Sequence, residues 1–150
     1  MERPRPEETI ADLTGQVVVI IDDDDDCREL LATLLEGRNA RVIQAGSASE
    51  GLAQVREQRP TVVVSDIAMP GEDGYSFARR LRALPGEQGG SVPAIALSAF
   101  NQPRDRDAAL AAGFSKHLAK PIDMSDLCAQ IRRLASGRPL DFAEQLAQLA

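Results

Sequence analysis

Five short strand-like runs set the frame for this chain: Val17–Ile21, Arg41–Ala45, Thr61–Ser65, Ala94–Ser98 and Lys116–Ala119. The first, third and fourth are almost continuously apolar, the pattern of strands covered on both faces, as in parallel sheets. Between and after them apolar residues recur at helical spacing. Cys27, Leu30, Leu31 and Leu34 share one stripe, Leu52 and Val55 another, and Phe77, Leu81 and Leu84 a third. The clearest is Met124, Leu127, Cys128, Ile131 and Leu134. Arg104–Ala112 is alanine-rich with Leu110 its only large apolar residue, which predicts a thinly anchored helix. Strands alternating with helices in this way predict an α/β fold, five parallel strands in one sheet with five helices against it.

A chain of 150 residues, 43% of them hydrophobic, has room for one such domain and needs no staple to fold. Residues 1–14 read as an N-terminal tail or linker, and 15–136 as the domain. Gly37, Gly113 and Pro85-Gly86 supply helix stops and turns. Ser136-Gly137-Arg138-Pro139 breaks the chain before a C-terminal extension, 137–150. Within it Phe142, Leu146 and Leu149 lie at helical spacing, with Asp141 and Glu144 placed as a capping box. A helix that short needs a surface to dock on. No apolar run approaches the roughly 20 residues of a membrane span. The first sixteen residues lack the apolar core of a secretory signal. Cys27 and Cys128 have neither disulfide-framework nor zinc spacing. The expectation is a reduced, cytoplasmic setting without a membrane.

The net charge of −6 comes mostly from one place, the five consecutive acids Asp22–Asp26 directly after the first apolar run. Without them acids and bases would nearly balance. In open α/β sheets ligands bind at the carboxyl ends of the strands. Those ends read Asp22-Asp23, Asp66, Ser98 and Lys120-Pro121. Three ionised carboxylates in contact repel by roughly 4 kcal/mol per pair at an effective dielectric of 20, so they stay ionised together only around a cation. A hard, oxygen-preferring ion fits, and Mg²⁺ suits a site with few protein ligands. Such an ion beside an exposed carboxylate and an ammonium is equipment for phosphoryl transfer onto the carboxylate. Asp24–Asp26 read instead as caps and first-turn acids of the following helix. Asp22-Asp23 alone have that same capping alternative, and Asp66 alone reads equally as a turn aspartate.

Together the stretches VVVIIDDDDDCRELL, VVVSDIAMPGEDGY, AIALSAF and LAKP resemble the receiver domain of response regulators in two-component signalling. The resemblance implies a (βα)5, doubly wound, flavodoxin-like sheet of order 2-1-3-4-5. It makes Asp66 the phosphoacceptor, and Asp22, Asp23, Asp66 and the backbone carbonyl of Ala68 the Mg²⁺ ligands. It makes Lys120 the phosphate-binding lysine, with a cis bond to Pro121, and Ser98 the hydroxyl that turns toward the phosphoryl group. His117 falls where the family often has an aromatic switch residue, and Ser98 stands where threonine is commoner. Ala68 and Phe100 occupy positions that tune phosphoryl lifetime, and neither is polar. The run from Ala94 to Pro121 resembles receivers of hybrid histidine kinases. The implied partner is a histidine kinase or histidine phosphotransfer protein. A homodimer would use the face of the fourth helix, fifth strand and fifth helix. The implied role is a phosphoacceptor in a phosphorelay rather than an enzyme, although such a domain assists its own phosphorylation and dephosphorylation.

Rival readings of the same residues exist. A pseudo-receiver would keep the fold as an interaction module without phosphorylation. A haloacid-dehalogenase-like phosphatase would use Asp22 as nucleophile and Asp24 as second acid, but leaves the Asp66 motif unexplained. Gly46 and Gly51 have phosphate-loop spacing without the required Lys and Ser/Thr after them. Nucleic-acid binding is not expected, because net charge is negative and the Arg79-Arg80-Arg82 and Arg132-Arg133 groups fall at solvent-facing helix positions.

Overall fold

The computed structural model describes residues 12–135. The strands are β1 (Val17–Ile21), β2 (Arg41–Ala45), β3 (Val62–Asp66), β4 (Ala94–Ser98) and β5 (Lys116–Ala119). They alternate with α1 (Asp25–Glu36), α2 (Ala48–Gln58), α3 (Gly74–Ala83), α4 (Pro103–Ala112) and α5 (Met124–Ala135), and a single 3₁₀ turn, Gly86–Gln88, precedes β4. All strand pairs are parallel, in the order β2-β1-β3-β4-β5. This is the doubly wound, flavodoxin-like α/β architecture, and strand order reverses beside β1, between its two neighbours β2 and β3.

Alternate residues of each strand feed two separate cores. Val19, Ile21, Val63, Ala94 and Ala96 face α2, α3 and α4, where Leu52, Val55, Phe77 and Leu81 complete one layer. Val18, Ile20, Val62, Val64, Ile95 and Leu97 face α1 and α5, meeting Leu35, Leu127, Cys128 and Ile131. Two-sided burial explains why β1, β3 and β4 are continuously apolar in sequence.

Two sequence expectations change. Leu13, placed in the tail by composition, is fully buried in the α1–α5 core, and its N–H donates to the Arg38 carbonyl. The packed chain therefore starts ahead of residue 15. The expected stripe of α1 is also not its core face: Leu30 is 62% and Leu34 42% exposed, while Ala32 and Leu35 are buried. Both ends of the first turn set this rotation. The Asp24 side chain caps the helix by accepting from Cys27 N–H, and Arg28 is held by the Asp22 carbonyl and the Gln44 side chain. The C-terminal segment with Phe142, Leu146, Leu149 and its capping-box pair lies outside the described residues.

α4 is as thinly anchored as its composition suggests, for it buries only Ala109 and Ala112, and Leu110 stays 43% exposed. Its far end is pinned by Arg82 of α3. Arg82 Nε donates to Gly113 O at 2.8 Å, and Nη1 donates to Val92 O at 2.6 Å and Gly90 O at 3.1 Å. Arg82→Met keeps the stem but strips three carbonyls of a charged donor. It is expected to cost about 3 kcal/mol, read as a lower urea midpoint.

Candidate functional site

The carboxyl ends of β1, β3, β4 and β5 meet at one rim. Asp22, directly after β1, is buried, and its Oδ1 accepts the Asp24 N–H at 3.0 Å. Asp23 beside it is exposed. Asp66 ends β3 and is only 7% exposed; its Oδ1 accepts from Ile67 N–H at 3.0 Å and from Lys120 Nζ at 3.1 Å. Lys120 follows β5, its N–H donating to Ser98 O, and the Lys120–Pro121 peptide is cis. Carboxylate oxygens of Asp22, Asp23 and Asp66 all lie within 4.8 Å of one another.

The acidic run divides as its position along the chain suggests. Asp22 and Asp23 line the rim. Asp24 is committed to the α1 cap, and Asp25 and Asp26 occupy the first helical turn, where the helix dipole favours acids. With Asp24 turned into the cap, the paired acids of the phosphatase reading do not face one another across the site.

The electrostatics are unbalanced. Burial chiefly pushes the Asp22 carboxyl above its ordinary range, and the charges of Asp66 and Asp23 push it further; the Asp24 N–H and Lys120 oppose this only in part. One ammonium cannot neutralise three convergent carboxylates. The donor set is all oxygen and small in number, which fits a hard divalent ion such as Mg²⁺.

Ser98, at the end of β4, is buried at the same rim, and its Oγ accepts the Phe100 N–H at 3.0 Å. Ala68 sits two residues past Asp66 in the exposed part of the β3–α3 loop. His117 does not join the rim. It lies half-buried in the interior of β5, paired in register with Ala96, and its Nε2 is buried with no hydrogen-bond partner among the described residues.

Two positions that shape the site carried no clear sequence signal. Arg28 donates from Nη1 to the Asp22 carbonyl and from Nη2 to Asp25, so it braces the acidic loop from below. Gly74 opens α3 against the end of β3; a Cβ there would lie 2.6 Å from the Asp66 carbonyl oxygen and 2.8 Å from Ile67 Cα. Because those are backbone atoms, Gly74→Ala must displace the loop that carries Ala68. The expected result is a loss of about 1–3 kcal/mol of stability by denaturant titration, the cost of overpacking.

The response regulator receiver domain model matches residues 18–132. The chain belongs to that family. The receiver is 40% identical over 116 residues to an uncharacterized 14.6 kDa protein from Leptolyngbya boryana, covering 77% of this chain and 87% of that one. It is 37% identical over 105 residues to the KDP operon transcriptional regulatory protein KdpE of Escherichia coli, covering 70% of this chain but 44% of the regulator. It thus spans about half the length of such regulators. Among solved structures, a putative response regulator from Chloroflexus aurantiacus superposes with a TM-score of 0.74 at 30% identity, covering 81% and 98% of the two chains. The receiver domain of the sensor histidine kinase PA1611 from Pseudomonas aeruginosa, solved with a magnesium ion coordinated in its active-site cleft, gives 0.74 at 29% identity and covers 83% and 100%. No helix among the described residues is long and apolar enough to cross a membrane.

Proposed function

We propose that this receiver accepts a phosphoryl group on Asp66 from a phosphohistidine of a histidine kinase or histidine phosphotransfer protein. The observation that carries the reading is the Asp66 carboxylate, bonded to the Lys120 ammonium and within 4.8 Å of carboxylate oxygens of Asp22 and Asp23. Both hydrogen bonds to Asp66 fall on Oδ1, which leaves Oδ2 free of hydrogen bonds among the described residues. An oxygen so placed attacks phosphorus. The P–N bond to the donor imidazole breaks, its electron pair returns to the ring nitrogen, and an O–P bond forms to Asp66.

Asp22, Asp23, Asp66 and the Ala68 carbonyl are the groups that would hold Mg²⁺, whose chemistry is to neutralise charge on phosphoryl oxygens. That a magnesium ion is coordinated in the active-site cleft of the related kinase receiver supports the choice of metal. Lys120 supplies a positive charge beside the Asp66 carboxylate, where it can stabilise charge on the incoming phosphoryl group. The Ile67 N–H holds Asp66 in place from the protein side.

The acquired group brings about −1.5 to −2 charges and strong acceptor oxygens to a rim where Ser98 is the neutral hydroxyl donor. Turning Ser98 toward it gives up the contact with Phe100 N–H. The β4–α4 loop and the thinly held α4 then respond, and His117 or its neighbours in β5 repack. The test uses acetyl phosphate as donor with Mg²⁺. The wild-type chain should take up label and Asp66→Asn none; uptake by the variant equal to wild type would overturn the assignment.

A further inference from the structure

A groove of about 590 Å³ runs beside the phosphoacceptor loop. Ala68 and its neighbours line it together with Tyr75 of α3, Phe100 of the β4–α4 loop and Arg104 of the first turn of α4. Ala68 lies two residues past Asp66 and Phe100 two past Ser98, so the groove begins at the rim where those side chains meet. Burial raises the Tyr75 hydroxyl above its ordinary value, and the charges of Asp105 in α4 and Asp73 at the head of α3 raise it further, which shows that α3 and α4 face each other closely here.

The charges along this groove are unequally employed. Asp73 accepts the Ser76 N–H and Asp105 the Gln102 N–H, each in the cap of its own helix. Arg104 is the one cation among the lining residues, is exposed, and is in no ion pair among the described residues. A second groove, about 400 Å³ and lined by Leu30, Leu34 and Met124, differs in this respect: Lys120 is its only lining cation and is already bonded to Asp66.

We propose that the groove beside Ala68 receives the acyl group of a small acyl phosphate acting as a direct phosphoryl donor, and that Arg104 meets the carboxylate that departs. The inference rests on the reading of Asp66 as phosphoacceptor and adds a donor-selecting residue to it. In-line transfer places the departing atom on the side of phosphorus away from Asp66. With an acyl phosphate, an O–P bond forms to Asp66 and the bond between phosphorus and the acyl oxygen breaks. The electron pair stays on that oxygen, and a carboxylate leaves. The acyl group is uncharged at rest, and negative charge grows on it only as the bond breaks. One unpaired guanidinium among apolar walls and two capping acids suits such a group. It gives little to the donor at rest and most to the transition state, the condition for raising a rate. A phosphoramidate breaks a P–N bond instead and departs as neutral ammonia, so Arg104 contributes nothing to its departure.

The two donors separate the roles. Initial rates of phosphorylation of the full chain, followed by intact mass with Mg²⁺ present, are compared for acetyl phosphate and phosphoramidate. Arg104→Gln should slow the reaction with acetyl phosphate by about tenfold, the effect of one charge-assisted hydrogen bond at an exposed position. The rate with phosphoramidate should stay within about twofold of wild type, which also reports that the variant is folded. An unchanged acetyl phosphate rate would overturn the proposal, and so would equal slowing with both donors. A wild-type chain modified by neither donor would instead overturn the phosphoacceptor reading, and this inference with it.

Discussion

Lys120→Ala should slow phosphorylation of Asp66 by acetyl phosphate by about 10²–10³-fold while leaving Mg²⁺ affinity undiminished. The rate loss follows from the place of Lys120: its Nζ lies 3.1 Å from Asp66 Oδ1, on the carboxylate whose other oxygen attacks phosphorus. Removing one preorganised charge of this kind typically costs about 3–4 kcal/mol of transition-state stabilisation, or two to three decades in rate. Lys120 is also ion-paired with Asp66 of the acidic rim, so its loss makes the rim more attractive to a divalent ion. The two effects therefore separate. Single-turnover phosphorylation reads the first and calorimetric Mg²⁺ titration the second. A variant that loses both in proportion would mean that Lys120 serves only to hold the rim together.

Asp22→Asn should stabilise the metal-free protein at neutral pH, on the order of 1 kcal/mol, and abolish its stabilisation by Mg²⁺. Burial, with the charges of Asp66 and Asp23, raises the Asp22 carboxyl above its ordinary range in the folded chain. A carboxyl raised on folding binds its proton more tightly in the native state than in the unfolded one. Its ionised form thus destabilises the fold at neutral pH, and that cost disappears as pH falls through the raised value. Asparagine keeps an oxygen to accept the Asp24 N–H and carries no charge. The gap between variant and wild type should accordingly be widest at neutral pH and close on acidification, read as urea midpoints without metal. Adding Mg²⁺ should raise the wild-type midpoint and leave that of Asp22→Asn in place. A variant less stable than wild type at neutral pH would contradict the repulsion described for this rim.

Much of this was legible because two-sided burial writes itself into sequence. Continuous apolar runs located β1, β3 and β4 to within a residue, and strand ends then located Asp22, Asp66, Ser98 and Lys120. The sheet order came with the family resemblance, since parallel neighbours cannot be ordered by periodicity. The face of α1 was misread because its rotation is set by the Asp24 cap and the Arg28 contacts, not by where its leucines are densest. Leu13 looked like tail because one apolar residue among polar ones has no period. Gly74 and Arg82 were not distinguishable beforehand: their roles depend on backbone atoms brought near from other segments, Asp66 O for one and Gly113 O for the other.

The measurement that bears most directly on the central claim is the location of the phosphoryl group. After incubation of the full chain with acetyl phosphate and Mg²⁺, trapping the acyl phosphate by borohydride reduction and peptide mass spectrometry should find the modified residue at Asp66 and nowhere else. Modification at Asp22, or an unmodified chain at every donor concentration, would contradict it.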